Sequence, residues 1–197
     1  MNTIKDGTGS GNLAKVDDKH RVHTYSIIEP TEQAEAENGL SFIIHKECHT
    51  AASTGGGLLY IKNNDSEYDM VITRIYIDSH TITPEDLICV QLFDATISNG
   101  TDISSTAVIN KNRSSSKTFD LTVKCSDGSS DITYTGGTQD HAYPIKSMTQ
   151  YFRDMAGTNI ISAGKSILFG FKRADGGSAT DGQILSFSIN IVKYKRD

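Results

Sequence analysis

The segment that closes the chain constrains the fold most. Leu185, Phe187, Ile189 and Ile191 alternate with Ser186, Ser188 and Asn190. Successive side chains of a strand point to opposite faces, so this spacing gives one apolar face and one wet face, as an antiparallel strand in a sandwich requires. The same period recurs upstream in Ile88, Val90 and Leu92, in Phe119, Leu121 and Val123, and in Ile167, Phe169 and Phe171. Further strands read at 40–45, 58–62 and 69–78, with a short one at 132–134. In 69–78, Val71, Thr73, Ile75 and Ile77 share one side, and Met70, Ile72 and Tyr76 lie opposite, so both faces are partly apolar. Residues 144–156 fit a helical stripe through Ile145, Met148, Phe152 and Met155 or a strand; extended structure with one helical turn is the favoured reading. Residues 55–57 read as a turn, and 99–117 as an exposed loop around a short strand at 106–109.

Eight or more strands at regular intervals with long links predict an all-β fold, an antiparallel two-sheet sandwich that is jelly-roll-like. There is no Trp in the chain, so the Cys…Trp…Cys spacing of an immunoglobulin domain is missing. In front of the strands, Gly7, Gly9 and Gly11 stand among polar residues, a segment with too little apolar surface to offset its ordering entropy. It is expected to be extended or mobile unless a partner holds it, with a first strand from Val22 to Ile28 ended by Pro30. Residues 31–38 read as a short surface helix, with Thr31 at its start and Gly39 as its stop. The expected organisation is an extended N-terminal arm with this helix over 1–39 and a sandwich over 40–197.

The net charge of -5 comes with no basic stripe, which argues against a nucleic-acid partner. No apolar run reaches membrane-spanning length and the first residues lack the apolar core of a secretory leader, so no membrane partner is expected. Lys193, Lys195 and Arg196 read as a solvated strand end. The three cysteines, Cys48, Cys89 and Cys125, are odd in number and widely spaced; thiols are expected, Cys89 as a small core residue.

Few constellations carry chemistry. Gly7 to Gly11 lacks the Gly-Lys-Ser/Thr ending of a phosphate loop and reads as a linker. His45, Cys48 and His49 are metal-capable, but a strand would turn Cys48 away from the two histidines; strand-end polar residues are the expectation, and no metal or cofactor is assigned. His20 and His23 form a looser pair, and histidines around an oligomer axis stay open. Asp65, Glu67 and Asp69 lack calcium-loop spacing and read as solvated turn acids. No carboxylate pair or nucleophile sits in a motif that fixes geometry, so no enzyme activity is expected. Tyr134 and Tyr143, in polar surroundings, are candidate ligand contacts.

The opening stretch carries a family likeness. Lys5-Asp6-Gly7-Thr8-Gly9, then Ala14-Lys15-Val16-Asp17, then Arg21-Val22 resembles a segment of virion structural proteins of tailed bacteriophages. The likeness spans Ile4 to Thr24 and continues weakly through Glu29 to Gly39. It implies a structural role on the virion, made in the host cytoplasm: a capsid decoration or head-surface protein. Lys5, Asp6, Gly7, Thr8, Gly9, Ala14, Lys15, Val16, Asp17 and Arg21 would form the attachment arm. The implied partners are the major capsid protein or other virion subunits, and a homo-oligomer, trimer favoured. The alternative is a receptor- or glycan-binding fibre or tail module.

Overall fold

A computed structural model describes residues 3–5, 13–16, 22–23, 31–50, 56–81, 87–146, 149–173 and 183–195. Two contact units divide the chain, residues 1–30 and residues 31–197. In the first, β1 (Thr3–Lys5), β2 (Leu13–Val16) and β3 (Val22–His23) form a three-stranded antiparallel meander with β2 in the middle.

The second unit opens with α1 (Thr31–Glu37), then β4 (Ser41–Thr50), β5 (Gly56–Asn63), β6 (Tyr68–Thr81) and β7 (Leu87–Phe93). A long excursion follows: β8 (Thr96–Ser98), β9 (Thr101–Asp102), α2 (Ser104–Ala107), β10 (Val108–Asn110), β11 (Leu121–Cys125) and β12 (Thr133–Thr135). The chain closes with β13 (Thr138–Ile145), β14 (Gln150–Ile161), β15 (Ser166–Arg173) and β16 (Gln183–Lys195). The helix assigned to the arm on sequence grounds belongs with the sandwich. It ends in a Schellman motif on Gly39, whose φ is 70°: Leu40 N–H donates to Glu35 O and Gly39 N–H to Ala36 O.

One sheet runs β10-β4-β16-β6-β14 and the other β13-β7-β15-β5-β11-β9. Removing the excursion leaves eight long strands. In chain order, the first, eighth, third and sixth face the second, seventh, fourth and fifth, all pairs antiparallel. This is a jelly-roll-like two-sheet sandwich. The excursion lengthens each sheet at one edge, β10 beside β4 and β11 beside β5, and α2 between them buries Ala107 in the shared core. The short strand expected at 106–109 is thus a helical turn followed by β10. Ser104 starts that turn, its N–H and hydroxyl both donating to Asp102 Oδ1.

Phe187 on β16 meets Phe169 on β15 across the sandwich at 5.4 Å between ring centroids, and both are fully buried. β6 departs from strict alternation. Its register with β16 and with β14 skips Thr73, so Met70 and Ile72 point inward and, past the bulge, so do Ile75 and Ile77. The sequence put these residues on opposite faces; the extra residue moves both sets to the core. The stretch 150–161 is a strand because pairing with β6 satisfies its backbone, and no helical turn interrupts its described part. Gly56 and Gly57, expected in a turn, begin β5. Ile132 covers Gly57 closely enough that an added Cβ would sit 2.5 Å from Ile132 Cγ2.

The inward phase of β16 ends in a charge. Lys193 follows Leu185, Phe187, Ile189 and Ile191 in that phase, and its side chain is only 14% exposed. Its Nζ lies 2.7 Å from Asp65 Oδ2, donates to Thr118 O, and sits 4.3 Å from the centroid of the Tyr68 ring and 5.2 Å from that of Phe119. Neither Lys193 nor Asp65 is the solvated group the sequence indicated; together they close one end of the core. Burial alone would raise the Asp65 carboxyl, but the hydrogen bond from Lys193 and the N–H groups of Glu67 and Tyr68 hold it below its ordinary value.

Gly57→Ala is expected to lower unfolding free energy by about 1–3 kcal/mol through crowding of Ile132, read by chemical denaturation. Because the folded carboxyl is the more acidic, the Asp65 contribution is complete above the unfolded value near pH ~3.9 and is lost as pH falls through the lower folded value. Stability measured from pH 6 downward should therefore fall less steeply in Asp65→Asn than in the parent, while Lys193→Met costs about 1–3 kcal/mol at neutral pH.

Candidate functional site

The motif-bearing residues come first. Lys5 ends β1, and Ala14, Lys15 and Val16 lie in β2. Antiparallel pairing sets Thr3 against Lys15, Ile4 against Ala14 and Lys5 against Leu13, and β3 returns to set His23 against Lys15 and Val22 against Val16. Of the first half of the motif only Lys5 is described, and it pairs with Leu13, the neighbour of Ala14. The sequence indicated a leader that gains order only against a partner; these residues pair with one another. Asp6, Gly7, Thr8, Gly9, Asp17 and Arg21 lie outside the described residues, as do His20 and the part of the expected strand beyond His23.

The two candidate tyrosines have different fates. Tyr143 lies in β13 rather than in a loop and has no exposed surface. Its hydroxyl donates to Gln91 Oε1 at 2.6 Å, and its ring meets Tyr151 at 4.8 Å across the sandwich edge. Burial pushes its phenol well above the usual range. A side chain so enclosed cannot stack on a ligand, and the expectation of an exposed contact is corrected for Tyr143. The polar neighbours that misled are the exposed positions of an edge strand: residues 138–140 and Pro144 face solvent, while Tyr143 and Ile145 face the core. Tyr134 lies in β12, half-buried, its ring edge over Gly170 where a Cβ would come within 3.3 Å. With Ile97 it packs on a second apolar cluster of Tyr60, Val90, Leu92, Ala95, Ile132 and Leu168. The β8–β12 ribbon thus covers the outer face of the second sheet.

Beside that ribbon lies an open depression of about 540 Å³, lined by Tyr60, Lys62, Asp94, Thr96, Gly164 and Lys165 among others. Lys165 Nζ is 3.0 Å from Asp94 Oδ2, and Asp94 holds a left-handed backbone at φ 53° while accepting from the Ser166 N–H. Tyr60 is only 8% exposed, so the floor offers no free aromatic face for stacking.

On the outer face of the first sheet, β4 presents His45, Glu47 and His49, with Cys48 turned into the core. His45 Nδ1 pairs with Ser188 Oγ at 2.7 Å, and Glu47 lies 3.0 Å from His49 and 3.7 Å from His80. The hydrogen bond to His49 leads the effects that lower the Glu47 carboxyl. Among the described residues, no group of three or more His, Cys, Asp or Glu side chains is placed to hold a metal ion. Towards β14 the same face turns apolar: Phe152, 51% exposed, stacks on Tyr76 at 4.8 Å, and Ile160 is 57% exposed. No described helix is long and apolar enough to cross a membrane.

No protein-family model matches the chain, and no curated protein matches it in sequence.

Tyr143→Phe should lower stability by about 1–2 kcal/mol by leaving the buried Gln91 carbonyl without its donor, read as a shift in denaturation midpoint at unchanged slope.

Proposed function

We propose that the chain is a structural component of a tailed-phage virion, a decoration or head-surface protein that attaches through residues 1–30 and presents its sandwich to solvent. The observation that carries this reading is a coincidence of boundaries. The motif that resembles phage virion proteins, Ile4 to Thr24, falls wholly within a contact unit of its own, and the jelly-roll-like sandwich begins after it at residue 31.

The chemistry of attachment follows from the small sheet. β2 is paired on both sides, whereas β1 and β3 are its outer strands and each keeps one unpaired row of backbone N–H and C=O groups within that sheet. A strand of the major capsid protein or of another virion subunit can add to such an edge through main-chain hydrogen bonds. Self-association as a trimer belongs to the same proposal. The exposed Phe152 and Ile160 supply apolar area for it, more directly than the 69–78 strand, whose double apolar pattern is absorbed by the bulge at Thr73. The glycan-binding alternative is weaker, because Tyr143 is buried and Tyr134 packs on the protein itself.

Deletion of residues 1–24 is expected to leave a cooperatively folding sandwich and to abolish co-sedimentation with particles produced without the protein. Equal binding by the full and shortened chains would overturn the attachment role. Specific glycan-array binding by the shortened chain would favour the receptor module instead.

A further inference from the structure

The two sheets touch through backbone at one corner. There β4 of the first sheet and the end of β11 of the second run side by side: His49 N–H donates to Ser126 O at 3.0 Å, and His49 and Asp127 form an isolated parallel bridge. The residue before each of those carbonyl and amide partners is a cysteine. Cys48 and Cys125 both point into the core with no exposed surface, close enough that each thiol perturbs the other's ionisation. The third cysteine, Cys89 on β7, is buried in the same core, where burial raises its thiol, and it is not next to the backbone bridge.

We propose that Cys48 and Cys125 are a redox modification site, a thiol pair that a peroxide converts into a disulfide joining the two sheets. The proposal does not depend on the virion reading. Two buried cysteines that face one core, each next to a residue of the backbone bridge that holds the two segments side by side, are the arrangement from which a disulfide forms with little movement of the chain. Access is short, because Asp127 and Gly128 immediately beyond the pair are exposed, so opening of that turn admits a small oxidant.

The two thiols are unlike. The neighbouring Cys48 thiol lowers the Cys125 thiol against the opposing effect of burial, and the Lys46 ammonium favours its thiolate as well; burial, then the neighbouring Cys125 thiol, raises Cys48. Cys125 also lies beside the exposed Asp127–Gly128 turn, where a peroxide reaches it first, and so is the attacking sulfur. Its thiolate takes one oxygen of the peroxide, the O–O bond breaks, and the leaving hydroxide acquires the thiol's proton as water. The sulfenic acid so formed is attacked by Cys48 sulfur; the S–O bond breaks, the S–S bond forms, and the second oxygen leaves as water with the Cys48 proton. Two thiols and one hydrogen peroxide give one disulfide and two waters, and a dithiol reductant reverses the change by exchange. The link would close a loop through most of β5, β6, β7 and the excursion, so the oxidised form is the harder one to unfold.

The test treats the folded full-length chain with hydrogen peroxide, then unfolds it in an alkylating agent and maps its peptides without reduction. The expected result is a Cys48–Cys125 cross-link two hydrogens lighter than the separate peptides, with Cys89 alkylated as a free thiol. The melting temperature should rise by about 5–15 °C and return on addition of dithiothreitol. Cys89→Ala should behave as the parent, whereas Cys48→Ala should stop at oxidised, unlinked Cys125. Because Cys48→Ala also removes a core side chain, the peptide map of the parent decides by itself. A link that includes Cys89, a link that forms only in denaturant, or three thiols that are still free or separately over-oxidised would each overturn the proposal.

Discussion

The contact between the inward faces of β15 and β16, centred on Phe169 and Phe187, fixes the rest of the sandwich. β16 pairs along most of its length with two long neighbours, β4 on one side and β6 on the other. Side chains of a strand alternate, so slipping β16 by one residue against β4 would put Ser186, Ser188 and Asn190 into the core and expose Leu185, Phe187, Ile189 and Ile191. At roughly 1.5–3 kcal/mol for burying each such apolar side chain, that slip is excluded, and the register of β4 and β6 follows from it. The sheet order then decides which side chains meet the opposite layer and which face away from it.

Three departures from regularity can be understood against that constraint. The bulge at Thr73 lets β6 pair with β16 and β14 at both of its ends while keeping four apolar residues inward. Lys193 occupies an inward position at the rim, where the rings of Tyr68 and Phe119 and the Asp65 carboxylate replace the water its ammonium gives up. Gly57 has no side chain because Ile132 of the covering segment comes down on it, with Ser126 Oγ donating to Gly57 O and accepting from the Ile132 N–H. Lys193 and Gly57 lie near the ends of their strands and Thr73 within β6, and a strict period-two pattern marks none of the three.

That also marks the reach of the sequence. β11 was legible because one face meets the core and the other does not; β15 and β16 were legible because their large apolar residues alternate, although Leu168, Ser186 and Asn190 on the other side are buried as well. α1 was legible from its Gly39 stop. The excursion was not: β8, β9, β10 and β12 are two or three residues long, with no fully buried side chain to create a pattern. Tyr143 was misread because it stands among exposed residues of an edge strand, and its buried partner Gln91 lies far away in sequence. The proximity of Cys48 and Cys125 was equally hidden, since only the folding of β11 beside β5 carries Cys125 to the corner where β4 ends.

If residues 1–30 attach the chain as proposed, attachment and cohesion rest on different physics within one chain. Residues 1–30 form ladders whose described strands are two to four residues long, and such short pairings are marginal by themselves, so a surface that adds a strand contributes a large fraction of their order. The sandwich draws its cohesion from apolar faces buried between two sheets and needs no partner to hold them. Under that proposal, binding can change in residues 1–30 while the core stays fixed. The loss of one attachment residue should then show in binding before it shows in unfolding, and the loss of a core residue such as Phe187 should do the reverse.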